Sequence, residues 1–455
     1  MQHTAEHANP LGTEPIFKLL MRFSIPAIVG MMVNALYNVV DRIFIGNSPS
    51  IGANGIAGIT IAFPIMIILI ALGVLFGIGG ATLFSIRLGQ KRNEEAEEAL
   101  FTSFILLTGG GLVFLILGQI FMPTILRMFG ASEQVLPYAS SYLRVILMGS
   151  VFAVTSMGLN HFIRADGNPK VAMLSMFLGA GTNIILDPIF IYVLDWGMAG
   201  AALATIISQS FSFIWVISYF LGKRSRVKLR FAKHRIRLSV VRSIVTLGFP
   251  PFTLQIMSSI LNVILNKTLI LHGGDLGIAA MGIVHSLQTL LFMPVIGINQ
   301  GVQPLISFNF GAKQYDRVKE AAKLGILSAT AVILVGYAVT QLFPRTMVGM
   351  FNQDPALLNL GVYALRRWFL LTPLVGYQVI AGNFFQAIGK SKIALTLTLS
   401  RQGLFLIPAI LLFAHFFGMQ GILWSAPVAD ALSTVLTSVF FFRGMRDLEK
   451  KAAHI

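Results

Sequence analysis

Long apolar stretches, separated by short polar segments, fill most of this chain. Runs of about 20 or more apolar residues are long enough to cross a bilayer as helices, and twelve such runs can be assigned, here called spans 1 to 12. Their predicted limits are 17–45, 56–86, 98–123, 134–160, 170–194, 198–222, 240–271, 277–308, 320–343, 356–386, 392–416 and 420–442. Several exceed the length a bilayer needs, which favours tilted or projecting helices. The pattern predicts an all-α membrane protein.

The polar positions between the spans indicate that the second six spans repeat the first six. Residues 164–170 (RADGNPK) return 222 positions later as residues 386–392 (QAIGKSK), and Arg144 returns as Arg366. We therefore expect two six-helix bundles, 1–222 and 240–455, joined by a basic linker, 223–239. With an even number of spans in each half, the bundles are related by a pseudo-two-fold axis along the membrane normal. Duplicated apolar halves are typical of secondary transporters.

Composition excludes several protein classes. Hydrophobic residues make up 55% of the 455 positions and charged residues 11%, whereas soluble domains carry roughly 25% charged residues. The chain has no cysteine, so it has no disulfide and no cysteine nucleophile. The eight histidines show no metal-ligand spacing, and no nucleophile–base pair or nucleotide motif stands out. We expect neither an enzyme nor a resident cofactor or metal.

The basic residues predict the orientation. Of the 34 lysines and arginines, 26 fall on one side. Two lie at the N-terminal end of span 1, three, two, four and two lie in the loops 2–3, 4–5, 8–9 and 10–11, nine lie in 223–242 and four lie in the tail. The positive-inside rule then places both termini in the cytoplasm. The first fifteen residues lack the order of a signal peptide, so span 1 should remain as a membrane helix. The segment 223–242 favours contact with anionic lipid headgroups over nucleic acid.

Polar residues inside the spans mark the candidate site. Only three of the eighteen acids, Asp41, Asp187 and Asp430, lie deep in apolar spans. An ionisable residue at that depth is a functional candidate. Asn34, Asn38 and Asp41 share one face of span 1. Asn183 lies one turn before Asp187, and Thr205 in span 6 reaches a similar depth. These oxygens suit a proton relay or a hard cation; the alternative is a hydrogen-bonded network that only joins helices.

Several segments resemble a known family. Residues 26–46 (PAIVGMMVNALYNVVDRIFIG), 164–167 (RADG), 186–188 (LDP) and 297–312 (GINQGVQPLISFNFGA) are similar to landmarks of the multidrug and toxic compound extrusion (MATE) family. The resemblance extends over roughly residues 14–445. It implies the MATE fold and a bacterial inner-membrane protein, taken here as a monomer. It also implies an antiporter, coupled to H⁺, Na⁺ or both, that exports amphipathic, mostly cationic drugs.

The resemblance also implies where coupling occurs. In the DinF-like branch the cation site carries over to Asp41, Asn183, Asp187 and Thr205. The NorM-like branch relies on acids in spans 7 and 10. Here those spans offer only amides, namely Gln255, Asn262, Asn266, Gln378, Asn383 and Gln386. The sequence therefore favours the DinF-like branch.

Residues outside the cation site are candidates for further roles, and some of them have two interpretations. The candidates for a drug cavity are Asn34, Tyr37, Asn38, Met31, Met173, Met176, Gln255, Met257, Asn262 and Met293. Pro26 is either a static kink or a hinge that bends when Asp41 is protonated. Asp430, with Arg401 at comparable depth, is interpreted as a structural pair, with a second coupling site as the alternative. The rival function is a flippase of lipid-linked intermediates, which would require several arginines along its cavity.

Overall fold

The computed structural model describes residues 9–48, 51–129, 131–231 and 235–453. These residues form helices and turns, and no strand occurs among them. The helices are Pro10–Thr13, Ile16–Gly46, Gly52–Gly89, Asn93–Met128, Leu136–Met148, Ser150–Ala165, Pro169–Pro188, Ile189–Val193, Gly197–Leu221, Leu238–Gly311, Tyr315–Leu342, Pro344–Gly349, Pro355–Trp368, Pro373–Ala387, Ser391–Leu399, Ser400–Leu406 and Ile407–Ala453.

The helices account for the twelve predicted spans. Eight helical stretches of the described residues are long and apolar enough to cross a membrane, and two bent helix pairs, with bends of 57° and 48°, bring the number to ten. Two of the stretches each contain two helices, because the backbone leaves the helical region at Gly274 (φ 56°) and at Gly418 (φ 59°). Counting these as two spans each gives twelve. Both breaks fall between predicted spans.

The backbone also repeats at matched positions. Lys91 and Lys313, 222 positions apart, both have positive φ values, 60° and 59°. Gly167 and Gly389 do so as well, at 99° and 80°. A non-glycine residue with positive φ is uncommon, so its recurrence in the 2–3 and 8–9 turns indicates that both halves turn in the same way.

The structure divides into two compact units, which differ from the predicted halves. Among the described residues, unit 1 comprises 9–28 and 253–453, and unit 2 comprises those between 29 and 252. The predicted bundles were 1–222 and 240–455. The difference is that the first part of span 1 packs with the second half of the chain, and the first part of span 7 packs with the first half.

Close helix packing explains this exchange. In unit 1, a Cβ atom on Gly301 would lie 2.4 Å from Ser24 Oγ, and one on Gly297 would lie 2.5 Å from Ile28 Cγ1. In unit 2, a Cβ atom on Gly248 would lie 1.7 Å from the Leu75 carbonyl oxygen. Small residues permit such backbone approach between membrane helices. Each contact therefore ties the start of one span to a partner in the other half of the sequence.

The short helix Pro10–Thr13 is tied by polar contacts to the part of unit 1 that comes from the second half of the chain. Arg317 Nη2 donates to the carbonyl oxygens of Leu11 and Glu14, at 3.0 and 2.7 Å. Asn309 Nδ2 donates to the same Leu11 oxygen at 3.0 Å, and Arg317 Nε donates to Asn309 Oδ1 at 2.9 Å. These bonds satisfy carbonyls at the end of the short helix Pro10–Thr13.

Residues 223–231 of the linker run through unit 2 without helical structure. Their side chains alternate, with Ser225, Val227 and Leu229 buried and the basic residues between them exposed. Near the far end of the linker, Arg237 forms an ion pair with the buried carboxylate of Glu98 at the start of span 3, with 3.0 Å between Arg237 Nε and Glu98 Oε1. A longer pair, Arg230 Nε to the neighbouring Glu97 Oε1, measures 3.6 Å. Both arginines thus pair with acids at the start of span 3 while their side chains stay 56% and 71% exposed, and contact of this segment with lipid headgroups stays a prediction.

Candidate functional site

Spans 5 and 6 hold three oxygen-bearing side chains together inside unit 2. Asn183 Nδ2 donates to Asp187 Oδ1 at 3.1 Å and lies 3.5 Å from Thr205 Oγ1. Asn183 and Asp187 are 1% and 0% exposed. Their spacing of four residues places them on one face of span 5. Pro188 follows directly, and the chain continues as the wider turn Ile189–Val193, because proline cannot donate the next helical hydrogen bond.

Span 1 adds the fourth group. The carboxyl of Asp41, 8% exposed, lies in hydrogen-bonding contact with the carboxyl of Asp187. Two carboxylates this close repel each other, and one shared proton converts the repulsion into a hydrogen bond. Tyr192 fixes spans 5 and 1 beside the pair, since its hydroxyl donates to the Phe44 carbonyl oxygen at 2.7 Å.

The remaining polar atoms are arranged as acceptors. The Thr205 hydroxyl donates to the Ala201 carbonyl oxygen at 3.1 Å, so its lone pairs are left to accept. Asn183 Oδ1 is buried and accepts no hydrogen bond within the described part of the chain. Carboxylate, amide and hydroxyl oxygens are ligands for hard cations. No group of three or more His, Cys, Asp or Glu suited to a metal ion occurs among the described residues.

The drug-cavity candidates of the first half follow the same helices. Asn34 and Asn38 are exposed, and Asn38 Nδ2 donates to the Asn34 carbonyl oxygen at 2.7 Å. Met31, Tyr37 and Met173 are half-buried. Tyr37 lies close enough to Asp41 to interact with it electrostatically.

Met176 lies where spans 1, 4 and 5 meet. A Cβ atom on Gly30 would lie 2.8 Å from its sulfur. Arg164 Nη2 lies 3.8 Å from the same sulfur. Met176 is therefore held by packing and is less adaptable than an isolated methionine.

The candidates of the second half belong to unit 1. Gln255, Met257 and Met293 are half-buried, whereas Asn262 is exposed and donates to the Ser258 carbonyl oxygen at 2.9 Å. Met257 approaches span 11, with its Cε 3.4 Å from a Cβ position on Gly403. None of these groups is an acid. Unit 1 thus offers polar and apolar contacts here without carboxylates.

Asp430 and Arg401 form an ion pair in unit 1. Arg401 Nε donates to Asp430 Oδ1 at 2.8 Å, with side-chain exposures of 23% and 3%. Gln378 in span 10 reinforces this region by donating to the Asp430 carbonyl oxygen and to Ser433 Oγ, both at 2.7 Å. The pair therefore sits in a network that joins spans 10, 11 and 12.

Pro26 lies inside a continuous helix. The helix Ile16–Gly46 passes from unit 1 to unit 2 after residue 28, two residues beyond Pro26. In span 7, Pro250 and Pro251 precede the corresponding change of unit after residue 252. Both crossings thus follow closely on a proline.

Sequence reasoning missed a buried acid outside the spans. Asp166, in the turn between spans 4 and 5, accepts hydrogen bonds from the Tyr219 hydroxyl at 2.5 Å and from the Arg226 backbone N–H at 3.0 Å. Burial raises the pKa of Asp166 to about 6, although these hydrogen bonds and the Arg226 charge act in the opposite direction. The available signal was its place in the RADG segment, but a loop position gave no indication of burial.

Comparisons with known proteins agree on one family. The MatE family model matches residues 26–189 and 250–412. Multidrug export protein MepA of Staphylococcus aureus (strain NCTC 8325 / PS 47) is 30% identical over 431 residues, which is 94% of each chain. Crystal structures of a MATE in the bent and in the straight conformation are each 26% identical. Both cover 97% of this chain and 98% of their own, with TM-scores of 0.92 and 0.91.

Proposed function

Since this chain belongs to the multidrug and toxic compound extrusion family, we propose that it exports drugs from the cytoplasm by cation-coupled antiport. The observation that carries the proposal is the contact between the carboxyls of Asp41 and Asp187, buried beside Asn183. A multidrug export protein matches the chain over nearly its whole length. The expected substrates are amphipathic and mostly cationic.

The carboxyl pair couples the ion to the substrate through its charge. A negative charge on Asp41 or Asp187 retains a cationic substrate. A proton or Na⁺ entering from outside neutralises that charge and so favours release. Loss of the ion to the cytoplasm restores the charge. No resident cofactor takes part, and the coupling ion is itself a transported species.

The available driving force suits efflux. One charge moved through 100 mV is worth about 2.3 kcal/mol, which corresponds to a substrate gradient of roughly fifty-fold. A pH difference of one unit adds about 1.4 kcal/mol per proton. One coupling ion per cycle is therefore sufficient for a useful gradient.

Two further features belong to the proposal. The basic residues orient the chain with both termini in the cytoplasm of a bacterial plasma membrane. Pro26 acts as a hinge, because the helix that carries Asp41 changes unit two residues beyond it. The bent and straight conformations described for solved MATE structures support such bending.

Reconstitution tests this function. The purified protein is placed in proteoliposomes, a proton gradient or a Na⁺ gradient is imposed separately, and efflux of a cationic dye is followed. We expect one or both gradients to drive the wild type. Asp41→Asn and Asp187→Asn should each abolish driven efflux while the protein remains folded in the membrane.

The matched control is Asp195→Asn, the same change at an exposed acid just after span 5. Asp195 has φ 49°, a conformation that asparagine tolerates, so this variant should transport normally. Wild-type efflux by Asp41→Asn or Asp187→Asn at normal yield would remove these residues from coupling. Efflux that no ion gradient drives would contradict antiport.

A further inference from the structure

A cavity of about 400 Å³ lies in unit 1 where span 9 ends and span 10 begins. The residues that line it are Gln341, Asn359, Val362, Tyr363, Arg366, Arg367 and Leu370. None of them contributes to the carboxyl pair, which lies in unit 2. The cavity combines two arginines and two amides with an apolar side formed by Val362 and Leu370.

The two arginines form the charged part of the cavity. Neither guanidinium lies within ion-pair distance of a carboxylate in the described part of the chain. Arg367 is held by two aromatic rings, with its guanidinium 5.2 Å from the centroid of Tyr363 and 5.0 Å from that of Trp424. Such stacking pre-orients a planar fork of donors. The cavity thus offers two positive charges without a counter-charge.

The other half of the chain shows that the fold does not require this arrangement. Gln341 Nε2 approaches the Arg366 carbonyl oxygen at 3.4 Å, and the matched residue Gln119 donates to the Arg144 carbonyl oxygen at 2.7 Å. This contact is therefore common to both halves. The positions that match Tyr363, Arg367 and Trp424 are Ser141, Val145 and Leu203. The second arginine and its aromatic supports occur only in the second half.

The surroundings of the cavity are apolar. Leu342 and Phe343, which follow Gln341 at the end of span 9, are 71% and 59% exposed. Tyrosine and tryptophan are enriched at the membrane–water interface, and Tyr363 and Trp424 fit that position. A ligand at this place meets hydrocarbon on one side and arginine on the other. Those requirements match a lipid headgroup better than a soluble ion.

We propose that this cavity binds the phosphate group of a glycerophospholipid, held by Arg366 and Arg367. Arginine donates paired hydrogen bonds to phosphate oxygens. The amides of Gln341 and Asn359 line the headgroup space, and Val362 and Leu370 contact the glycerol and the start of the acyl chains. On the topology proposed above, the lipid belongs to the outer leaflet.

Lipid titration followed by native mass spectrometry tests the site. The full-length protein in detergent is titrated with phosphatidylglycerol and with diacylglycerol of the same acyl chains, which lacks the phosphate. Each titration is repeated in excess inorganic phosphate. The variants are Arg366→Gln, Arg367→Gln and Arg367→Lys. Arg144→Gln is the matched control, since it removes the corresponding arginine of the first half.

We expect phosphatidylglycerol to bind the wild type and the control equally, and diacylglycerol to bind weakly. Each Gln variant should lower the affinity for phosphatidylglycerol on the order of tenfold, the usual effect of losing a charged hydrogen bond. Arg367→Lys keeps the charge, so its affinity for phosphatidylglycerol should lie between that of the wild type and that of Arg367→Gln. Unchanged binding in both Gln variants, or an equal loss in Arg144→Gln, overturns the site. Displacement by inorganic phosphate overturns the lipid assignment. Thermal unfolding is measured for each variant, and a Gln variant that unfolds at the wild-type temperature excludes misfolding as the cause of its weaker binding.

Discussion

Separating Arg401 from Asp430 should destabilise the protein, and the two single substitutions should differ in size. Asp430 is 3% exposed in its side chain and Arg401 is 23% exposed. Removing one partner of a buried ion pair costs about 3–5 kcal/mol, because the other charge is left without compensation. Arg401→Gln leaves the more deeply buried charge and should reach this range. Asp430→Asn leaves a guanidinium that retains some exposure, so we expect about 2 kcal/mol.

A double-mutant cycle measures the coupling. Arg401→Gln with Asp430→Asn removes both charges and leaves two amides that can hydrogen-bond each other. The double variant should therefore be more stable than Arg401→Gln alone. If the two sites were independent, their costs would add, and the double variant would instead be less stable than either single variant. The control is Lys390→Gln, which breaks the exposed pair with Asp447, of side-chain exposures 35% and 54%, and should cost less than about 1 kcal/mol.

The assay is folded yield after extraction together with the midpoint of thermal unfolding in detergent. Dye efflux in proteoliposomes is measured on the same preparations. Additive effects of the two substitutions would refute the structural interpretation. So would normal stability of Asp430→Asn combined with loss of coupling to the ion gradient. In that case Asp430 would belong to the transport mechanism.

Three further predictions follow from the structure. Burial raises the pKa of Asp166 from 3.8 to about 6, so folding favours its protonated form. As the pH rises from about 4 to about 7, the free energy of unfolding of the wild type should thus fall by up to about 3 kcal/mol relative to that of Asp166→Asn. Thermal unfolding of both proteins across this pH range measures the difference. Arg237→Gln leaves Glu98 buried without its partner and should cost about 1–3 kcal/mol, whereas Lys228→Gln, at an exposed position of the same linker, should change unfolding by less than about 0.5 kcal/mol. Thr205→Val keeps the shape but removes an oxygen ligand, and should slow ion-driven dye efflux about tenfold at normal yield.

The spans and the grouping of polar residues could be predicted because both depend on local periodicity. A run of apolar residues indicates a membrane helix wherever it occurs. Four-residue spacing puts Asn183 and Asp187 on one helix face. The position of Asp41 along span 1 and of Thr205 along span 6 then predicts that both lie at a similar depth in the membrane. The structure brings these four side chains together.

Features that depend on distant contacts could not be predicted in this way. The approach of Gly248 to the Leu75 carbonyl joins helices about 170 positions apart in the sequence, and a glycine gives no indication of its partner. The burial of Asp166 depends on the linker folding over it. One local signal was overlooked, since the segment 226–230 (RVKLR) alternates basic and apolar residues. That alternation indicates an extended segment with one face buried.

The exchange of the first part of span 1 determines the order in which the chain can assemble during synthesis. Unit 2 is continuous in sequence and can be completed once residue 252 has been made. Unit 1 requires the hydrogen bond between Leu11 and Asn309, which are 298 residues apart. At about 5–20 residues per second, roughly 15–60 s separate their synthesis. During that interval Leu19 and Leu20, fully buried in the finished protein, lack residues 253–455, the larger part of their own unit. A chain truncated before span 8 should therefore contain a complete unit 2 and an unpacked amino-terminal end.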